Sequence, residues 1–167
     1  LLVFRRKIGG IIGSLGRIIA RTAREGDREN GRLFLVILAA TAATAVVGYS
    51  VSLLEIQGRP RIVSILFIVT GLILIGARFL GGKKGYGDLG AKEGLITGVA
   101  QGLGVFPGIS RSGITISASL LAGLSREKAG EFAFLISIPA ILGAFILEVN
   151  LRNLLRNLEP GRVQFGL

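Results

Sequence analysis

The sequence predicts an all-α integral membrane protein. Half of the residues are hydrophobic, the mean hydropathy is +0.66, and 26 of 167 residues are glycine. Frequent glycine allows close helix packing in lipid. Three apolar stretches, residues 33–54, 62–80 and 131–149, have the length needed to cross a hydrocarbon core of about 30 Å. We expect one membrane domain over residues 1–167, in which residues 94–124 form an irregular segment.

Residues 1–32 form a basic amphipathic segment that we expect at the membrane interface. Between residues 8 and 24, five isoleucines and Leu15 share one face of a helix at about 100° per residue, and arginines occupy the opposite face. Such helices lie among lipid headgroups. A soluble helix docked on a partner is the alternative. Eight Lys and Arg residues between positions 5 and 32 place this segment in the cytoplasm.

The first two spans follow directly. Residues 33–54 are 22 residues without a charge, and the second span, 62–80, has Arg61 before it and Arg78 near its end. A glycine-rich connector with three lysines, residues 81–93, comes next.

The third span, residues 131–149, contains Pro139, where we expect a kink. Residues 150–167 form a tail. At the other end, Leu1 to Phe4 are apolar and run straight into basic residues, the reverse of a signal peptide. We interpret these four residues as the end of a helix cut off upstream, and the chain as a fragment.

Residues 94–124 do not fit a plain span. Arg111 is the only charged residue among the 32 from Gly94 to Ser125. The arms on either side of the Pro-Gly turn, residues 94–106 and 113–124, would each reach only about 18–20 Å as helices. The pattern predicts a re-entrant helix–turn–helix hairpin, which also keeps Arg126 on the cytoplasmic side.

Glycine recurs at every fourth position of the first arm, at Gly94, Gly98 and Gly102. A stripe of small residues lets a second helix approach closely. We therefore expect a neighbouring helix to pack on this face of the arm.

The turn segment, residues 107–115, has the chemistry of an anion site. Gly108 and Gly113 permit backbone conformations and close approaches that other residues do not. The free amides at the start of the second arm, near Ser112, would point at the turn. Arg111 can hold two phosphate oxygens through its planar fork. Three hydroxyl groups can donate further hydrogen bonds, those of Ser110, Ser112 and Thr115.

Each of these residues also has a structural interpretation. Ser112 caps the second arm, Thr115 bonds to a carbonyl of its own helix, or Ser110 is a plain turn residue. Arg111 extends to the interface, or Gln101 bridges two helices. The sequence leaves these alternatives open.

Several classes of chemistry are excluded by composition. The sequence has no cysteine and no histidine, so disulfides, thiolate or imidazole metal ligands and a histidine base are absent. The acidic residues that lie close together, Glu25, Asp27 and Glu29, are expected in a solvated loop. The net charge of +10 indicates anionic lipid headgroups rather than nucleic acid, because no basic run is interleaved with aromatics.

A family resemblance sharpens this interpretation. Residues 98–115 resemble the second signature of bacterial undecaprenyl-pyrophosphate phosphatases, on the run Pro-Gly-Ile-Ser-Arg-Ser-Gly-Ile-Thr and on Gln101-Gly102-Leu103. The resemblance continues through residues 121–125 and 131–139, and residues 39–48 look like that family's first span after its basic loop. It covers about residues 1–150.

The resemblance implies hydrolysis of undecaprenyl pyrophosphate to undecaprenyl phosphate, which serves peptidoglycan synthesis and underlies bacitracin resistance. It implies a transporter-like inverted-repeat fold in a bacterial inner membrane. It implies a divalent metal, Mg or Ca, whose ligands are not in this chain. Arg111 and Ser110 would be catalytic, and the pyrophosphate would be bound by Gly108, Ser110, Arg111, Ser112, Gly113, Thr115 and Gln101.

The chain departs from the family pattern at both ends. The first repeat, with paired glutamates and a Ser-Ser-x-Gly-His-type turn, is missing, and so are the last helices. We therefore expect the chain alone to be inactive. The expected partners are a polyprenyl pyrophosphate lipid and anionic headgroups, with a homodimer as one possible assembly. The alternatives are a transporter or flippase of lipid-linked phosphates and a membrane segment without independent function.

Overall fold

The computed structural model describes residues 9–10, 13–14, 27–54 and 59–158. Most of the predicted interfacial segment, residues 1–32, lies outside the described residues. The described part is helical, with no strand and one isolated bridge between Lys84 and Leu124. It contains a 3-10 helix, Tyr86–Asp88, and five long helices: α1 Asp27–Ser52, α2 Pro60–Ala77, α3 Ala91–Leu103, α4 Arg111–Leu121 and α5 Arg126–Leu158.

Three of these helices, α1, α2 and the Arg126–Asn150 part of α5, are long and apolar enough to cross a membrane by length and composition. They cover most of each predicted span, so the prediction of an all-α membrane protein is confirmed. Helix α2 illustrates the composition: Ile65, Phe67 and Ile68 are largely exposed, as side chains facing lipid would be.

Helix α1 begins six residues before the predicted span, at Asp27. The prediction that Asp27 and Glu29 lie in a solvated loop was wrong, because both are in the first turn of α1 and Asp27 is only 2% exposed. Acidic side chains favour a helix N-terminus, where they face the positive end of the helix dipole. Glu25 lies outside the described residues.

The other two spans also differ from their predicted bounds. Helix α2 has Pro60 at its first position, which suits a residue without an amide hydrogen, and it ends at Ala77. Helix α5 runs through Pro139 and continues to Leu158, so the first part of the predicted tail is helical. Residues 159–167 lie outside the described part.

The predicted glycine stripe forms the contact between α3 and α1. A Cβ atom added to Gly94 would lie 2.8 Å from the carbonyl oxygen of Val36, and one at Gly102 would lie 2.7 Å from Cβ of Val47. A Cβ at Gly98 would collide with the backbone of Ala40. The prediction that small residues let a neighbouring helix pack on this arm is confirmed, and that helix is α1.

The connector holds the two outer ends of the α3–α4 pair together. The amide of Gly82 donates to the carbonyl of Leu124 at 3.0 Å, and the amide of Lys84 donates to the carbonyl of Gly123 at 3.0 Å. Gly123 has φ +97°, a conformation that favours glycine. Because residues before α3 and after α4 are paired, the two helices form a hairpin whose ends lie side by side.

The hydrophobic core lies at this end of the molecule. It joins the first half of α1, the connector, the end of α4 and the first half of α5. Its largest fully buried side chains are Leu33, Leu89, Leu124, Phe132 and Ile136. Arg111, at the start of α4, therefore lies at the opposite end of the hairpin from the core.

Candidate functional site

The turn between α3 and α4 is seated on α2. Gly108 has φ +94°, and a Cβ atom there would lie 2.6 Å from the carbonyl oxygen of Val63. Thr70 of α2 donates a hydrogen bond from Oγ1 to the carbonyl of Gly108 at 3.1 Å. The close approach expected of Gly108 is therefore made to a neighbouring helix.

Ser110 begins α4. Its Oγ accepts a hydrogen bond from the amide of Gly113 at 3.2 Å, the geometry of an N-cap. The helix begins at Arg111, as the predicted start near Ser112 requires, but the capping interpretation of Ser112 was wrong, since the cap is Ser110, two residues earlier. Ser112 is instead in the first turn of α4. It is exposed, and its hydroxyl makes no hydrogen bond within the described residues.

Arg111, the first residue of α4, is exposed. In the part of the chain that the structure describes, its guanidinium has no hydrogen bond and no ion pair. An unpaired charge within an apolar segment is costly unless it faces a polar cavity or a ligand. Arg111 lines two cavities, a smaller one of about 300 Å³ and a larger one of about 450 Å³.

The smaller cavity lies between the hairpin and α5. It brings together four of the predicted site residues, Gln101, Arg111, Ser112 and Thr115. Its remaining walls come from Ile116 on α4 and from α5, namely Ala133, Phe134, Ser137 and Ile141. The other predicted site residues, Gly108, Ser110 and Gly113, do not line it.

Two of the gathered polar side chains already have partners. Thr115 donates from Oγ1 to the carbonyl of Arg111 at 2.6 Å, as its structural interpretation requires. The buried Gln101 donates from Nε2 to the carbonyl of Ile136 at 3.3 Å, so it bridges α3 and α5. Thr115 and Gln101 thus hold the walls in place, and Arg111 and Ser112 keep donors for a bound anion.

The larger cavity lies between α1 and α5. Arg111 is its one charged lining residue, and the rest of the wall is mostly apolar or small. Sequence reasoning missed this cavity, because its two walls come from helices almost 100 residues apart.

Comparison with known proteins identifies the family to which this chain belongs. The profile described as "Bacitracin resistance protein BacA" matches residues 1–164. The chain belongs to this family.

Similar proteins include the undecaprenyl-diphosphatase of Treponema denticola, which is 47% identical over 95% of this chain and 59% of that protein. The undecaprenyl-diphosphatase of Korarchaeum cryptofilum is 37% identical over 89% of this chain and 57% of that protein. That of Carboxydothermus hydrogenoformans is 45% identical over 71% of this chain. The chain spans less than three fifths of the length of these curated relatives.

The residues of this BacA-family site do not fit a divalent metal. Neither cavity is lined by an aspartate or a glutamate, and the described residues hold no cluster of three or more possible metal ligands. Mg²⁺ and Ca²⁺ bind to carboxylate and carbonyl oxygens, whereas the charge here is a guanidinium. The residues that line the two cavities are therefore not the ligands of the expected metal.

Sequence reasoning also missed Ser137. It lies in the smaller cavity and donates from Oγ to the carbonyl of Phe134 at 2.8 Å. A serine two residues before Pro139 in an apolar span was the available signal, because polar residues in spans tend to face the protein interior.

The ionic contacts of the BacA-family chain gather at the far end of the hairpin. Lys84 Nζ lies 2.8 Å from Glu93 Oε1, and the amide of Gly90 donates to Glu93 Oε2 at 2.9 Å. The hydrogen bond from Lys84, followed by those from backbone amides, lowers the pKa of Glu93 to about 2. Tyr86 donates from its hydroxyl to Glu131 at 2.6 Å, and burial raises the pKa of Tyr86. These contacts fix the hairpin base, away from Arg111.

Proposed function

We propose that this chain carries the pyrophosphate-binding part of an undecaprenyl-diphosphatase. The observation that carries the proposal is Arg111, an unpaired guanidinium in an otherwise uncharged segment, which lines a cavity together with a free serine hydroxyl. The relatives' names supply the reaction, hydrolysis of undecaprenyl pyrophosphate to undecaprenyl phosphate and phosphate. Its substrate is a lipid, which agrees with three membrane-length helices.

In this proposal Arg111 binds two phosphate oxygens through its planar fork. The amides of Arg111 and Ser112, which have no acceptor within α4, and the positive end of the helix dipole face the same anion. Ser110 uses an oxygen lone pair to cap α4, so its hydroxyl hydrogen is left to donate to a phosphate oxygen. As the phosphoryl group transfers to water, Arg111 stabilises the charge that develops on its oxygens.

In this proposal the divalent metal, Mg or Ca, is bound by ligands that are not in this chain. The group that activates water also lies outside the two cavities, because their linings contain no carboxylate and the sequence contains no histidine. Binding and charge stabilisation are the steps assigned to the described residues.

We also propose that α3 and α4 form a re-entrant hairpin of an inverted-repeat fold in a bacterial inner membrane. The helices have 13 and 11 residues, and so reach about 20 Å and about 17 Å, less than the hydrocarbon thickness of about 30 Å. Pairing of Lys84 with Leu124 brings the outer ends of the hairpin together. Anionic headgroups as partners and a homodimer remain predictions.

The test is the binding of farnesyl pyrophosphate, a short-chain probe, to the purified chain in detergent. We expect Arg111→Ala to weaken binding by about 10- to 100-fold, the effect of losing charge-assisted hydrogen bonds. Arg111→Lys should also weaken it, because an ammonium cannot reproduce the planar fork. Arg61→Ala removes the same charge near the start of α2 and serves as the matched control.

Calorimetry measures the affinities, and a phosphate assay on the same samples measures release. Binding without release is expected of the chain alone. Equal affinities of the parent and Arg111→Ala would remove Arg111 from the site. Phosphate release that Arg111→Ala abolishes would show that the chain holds a complete active site.

A further inference from the structure

The larger cavity is an apolar slot between two helices. Its walls include five small residues, Ala45 and Gly48 on α1 and Ala140, Gly143 and Ala144 on α5. Its volume, about 450 Å³, is in the range of ligand pockets, about 300–1,000 Å³. Small side chains on both walls leave room between helices that larger residues would fill.

The serine and threonine hydroxyl groups of the α1 wall are already used within the protein, whereas the Tyr49 hydroxyl on the same wall makes no hydrogen bond within the described residues. Thr41 donates to the carbonyl of Ile37 at 2.8 Å, and Ser52 donates to that of Tyr49 at 2.7 Å. Thr44 lies 2.8 Å from the carbonyl of Ala40 and 3.0 Å from that of Gly98. These three groups therefore have no hydroxyl hydrogen left to donate to a ligand, and apart from the Tyr49 hydroxyl the wall offers a ligand mainly apolar contacts.

Arg111 gives the slot its polarity. It lines both cavities, so an anion on its guanidinium would lie where the hydroxyl-lined cavity and the apolar slot meet. A ligand with an anionic head and an apolar chain complements this arrangement. A free phosphate would use only the first cavity.

We propose that the slot between α1 and α5 binds the first isoprenoid units of the lipid pyrophosphate, and that Gly143 determines whether they fit. This inference rests on the proposed function, since it takes the pyrophosphate to be held by Arg111. It adds a chain-binding site and a residue that discriminates between prenylated and unprenylated pyrophosphates.

Gly143 is the position that tests the slot most cleanly. It lines the cavity, and a Cβ atom added there would meet no atom within 4 Å. A larger side chain can therefore occupy the slot without moving the backbone. At Gly48, on the facing wall, an added Cβ would already lie 3.3 Å from Val105 Cγ2.

The experiment compares two probes, farnesyl pyrophosphate and inorganic pyrophosphate, on the purified chain in detergent. Gly143→Phe should weaken binding of farnesyl pyrophosphate by at least about tenfold, the loss expected when a few buried carbons are excluded. Gly143→Ala should have a smaller effect. Neither should change binding of inorganic pyrophosphate, which also reports that the variant is folded.

Gly71→Phe is the matched control. Gly71 is on α2, outside both cavities, and an added Cβ there also meets no atom within 4 Å. Both affinities should equal those of the parent chain.

Two results would overturn the inference and leave the phosphate site intact. In one, Gly143→Phe binds farnesyl pyrophosphate as well as the parent does. In the other, the parent binds farnesyl pyrophosphate no more tightly than inorganic pyrophosphate. That result would mean that bilayer lipid or another protein helix fills the slot instead. If the parent binds neither probe, the proposed function fails as well.

Discussion

Arg111 and Glu93 lie at opposite ends of the same helical hairpin and have opposite electrostatic surroundings. Glu93 is 15% exposed and lies 2.8 Å from the ammonium of Lys84. Arg111 has no such partner among the described residues, although the apolar segment around it makes an unpaired charge costly. Paired charges therefore stabilise the base of the hairpin, and the unpaired charge at its tip is available for a ligand.

The lowered pKa of Glu93 makes the stability of the chain depend on pH. A carboxyl group whose pKa falls from 4.5 to about 2 on folding stabilises the folded state above pH 4.5, and this contribution is lost as the pH falls toward 2. Because Lys84 is 42% exposed, we expect about 1 kcal/mol rather than the full value of the shift.

The measurement is the free energy of unfolding in detergent for the parent and Glu93→Gln at several pH values. The difference between them should be largest near neutral pH and should shrink below pH 4.5. Glu127→Gln removes an exposed partner of Lys128 and should give a small difference at every pH. A Glu93→Gln difference that stays constant down to pH 3 would contradict this account.

At the scale of elements, the decisive contact is that of α3 with α1. Without a hydrophobic driving force between helices in lipid, close backbone packing supplies much of the attraction. The glycine stripe of α3 allows this packing, and Thr44 of α1 adds a hydrogen bond to the carbonyl of Gly98 at 3.0 Å. Helix α1 thus positions the hairpin, and through it Arg111.

Gly98→Ala is expected to destabilise the chain by about 1–3 kcal/mol, the usual cost of overpacking a tight contact. The added methyl group would lie 2.7 Å from Cα of Ala40, and relieving this overlap would require α3 and α1 to move apart. Gly71→Ala adds the same methyl group where no atom lies within 4 Å. It should be neutral or slightly stabilising, because alanine is the better helix former.

Unfolding free energies measured by denaturant titration in mixed micelles distinguish the two variants. If Gly98→Ala were as stable as Gly71→Ala, the stripe would not be the contact that holds α3 against α1.

At the scale of the whole molecule, a re-entrant hairpin, as we propose it, would keep the residues before α3 and after α4 on the same side of the membrane. Lys83 precedes the hairpin and Glu127 follows it, and the connector pairing holds these regions together. Arg59, at the start of α2, lies at the other end of that spanning helix. From the basic residues of the connector, the positive-inside rule predicts that the hairpin base lies in the cytoplasm.

Single cysteines test this arrangement, and the chain offers a clean background because its sequence contains no cysteine. In intact cells, a membrane-impermeant maleimide should label Arg59→Cys. Lys83→Cys and Glu127→Cys should be labelled only after the membrane is opened. Labelling of Glu127→Cys in intact cells would mean that residues 94–124 cross the membrane fully.

Sequence reasoning found the elements more reliably than their ends. It located the three spans because about 20 apolar residues in a row constitute a local signal. It missed the start of α1 at Asp27, and it considered Ser112 rather than Ser110 as the cap of α4, because helix ends depend on a few local contacts that hydropathy does not report. For Gln101 and Thr115 it left two roles open, and the structure shows a structural hydrogen bond for each.

The sequence by itself determined that this is a helical membrane protein of the BacA family, with one arginine in an uncharged segment and a glycine stripe beside it. Each of these properties can be recognised from residues that are neighbours in the sequence. Only the tertiary structure decided that α1 covers the stripe and that Arg111 lies between a hydroxyl-lined cavity and an apolar slot. The physical reason is that a cavity forms only where the faces of several helices meet, and here those helices are far apart in the chain.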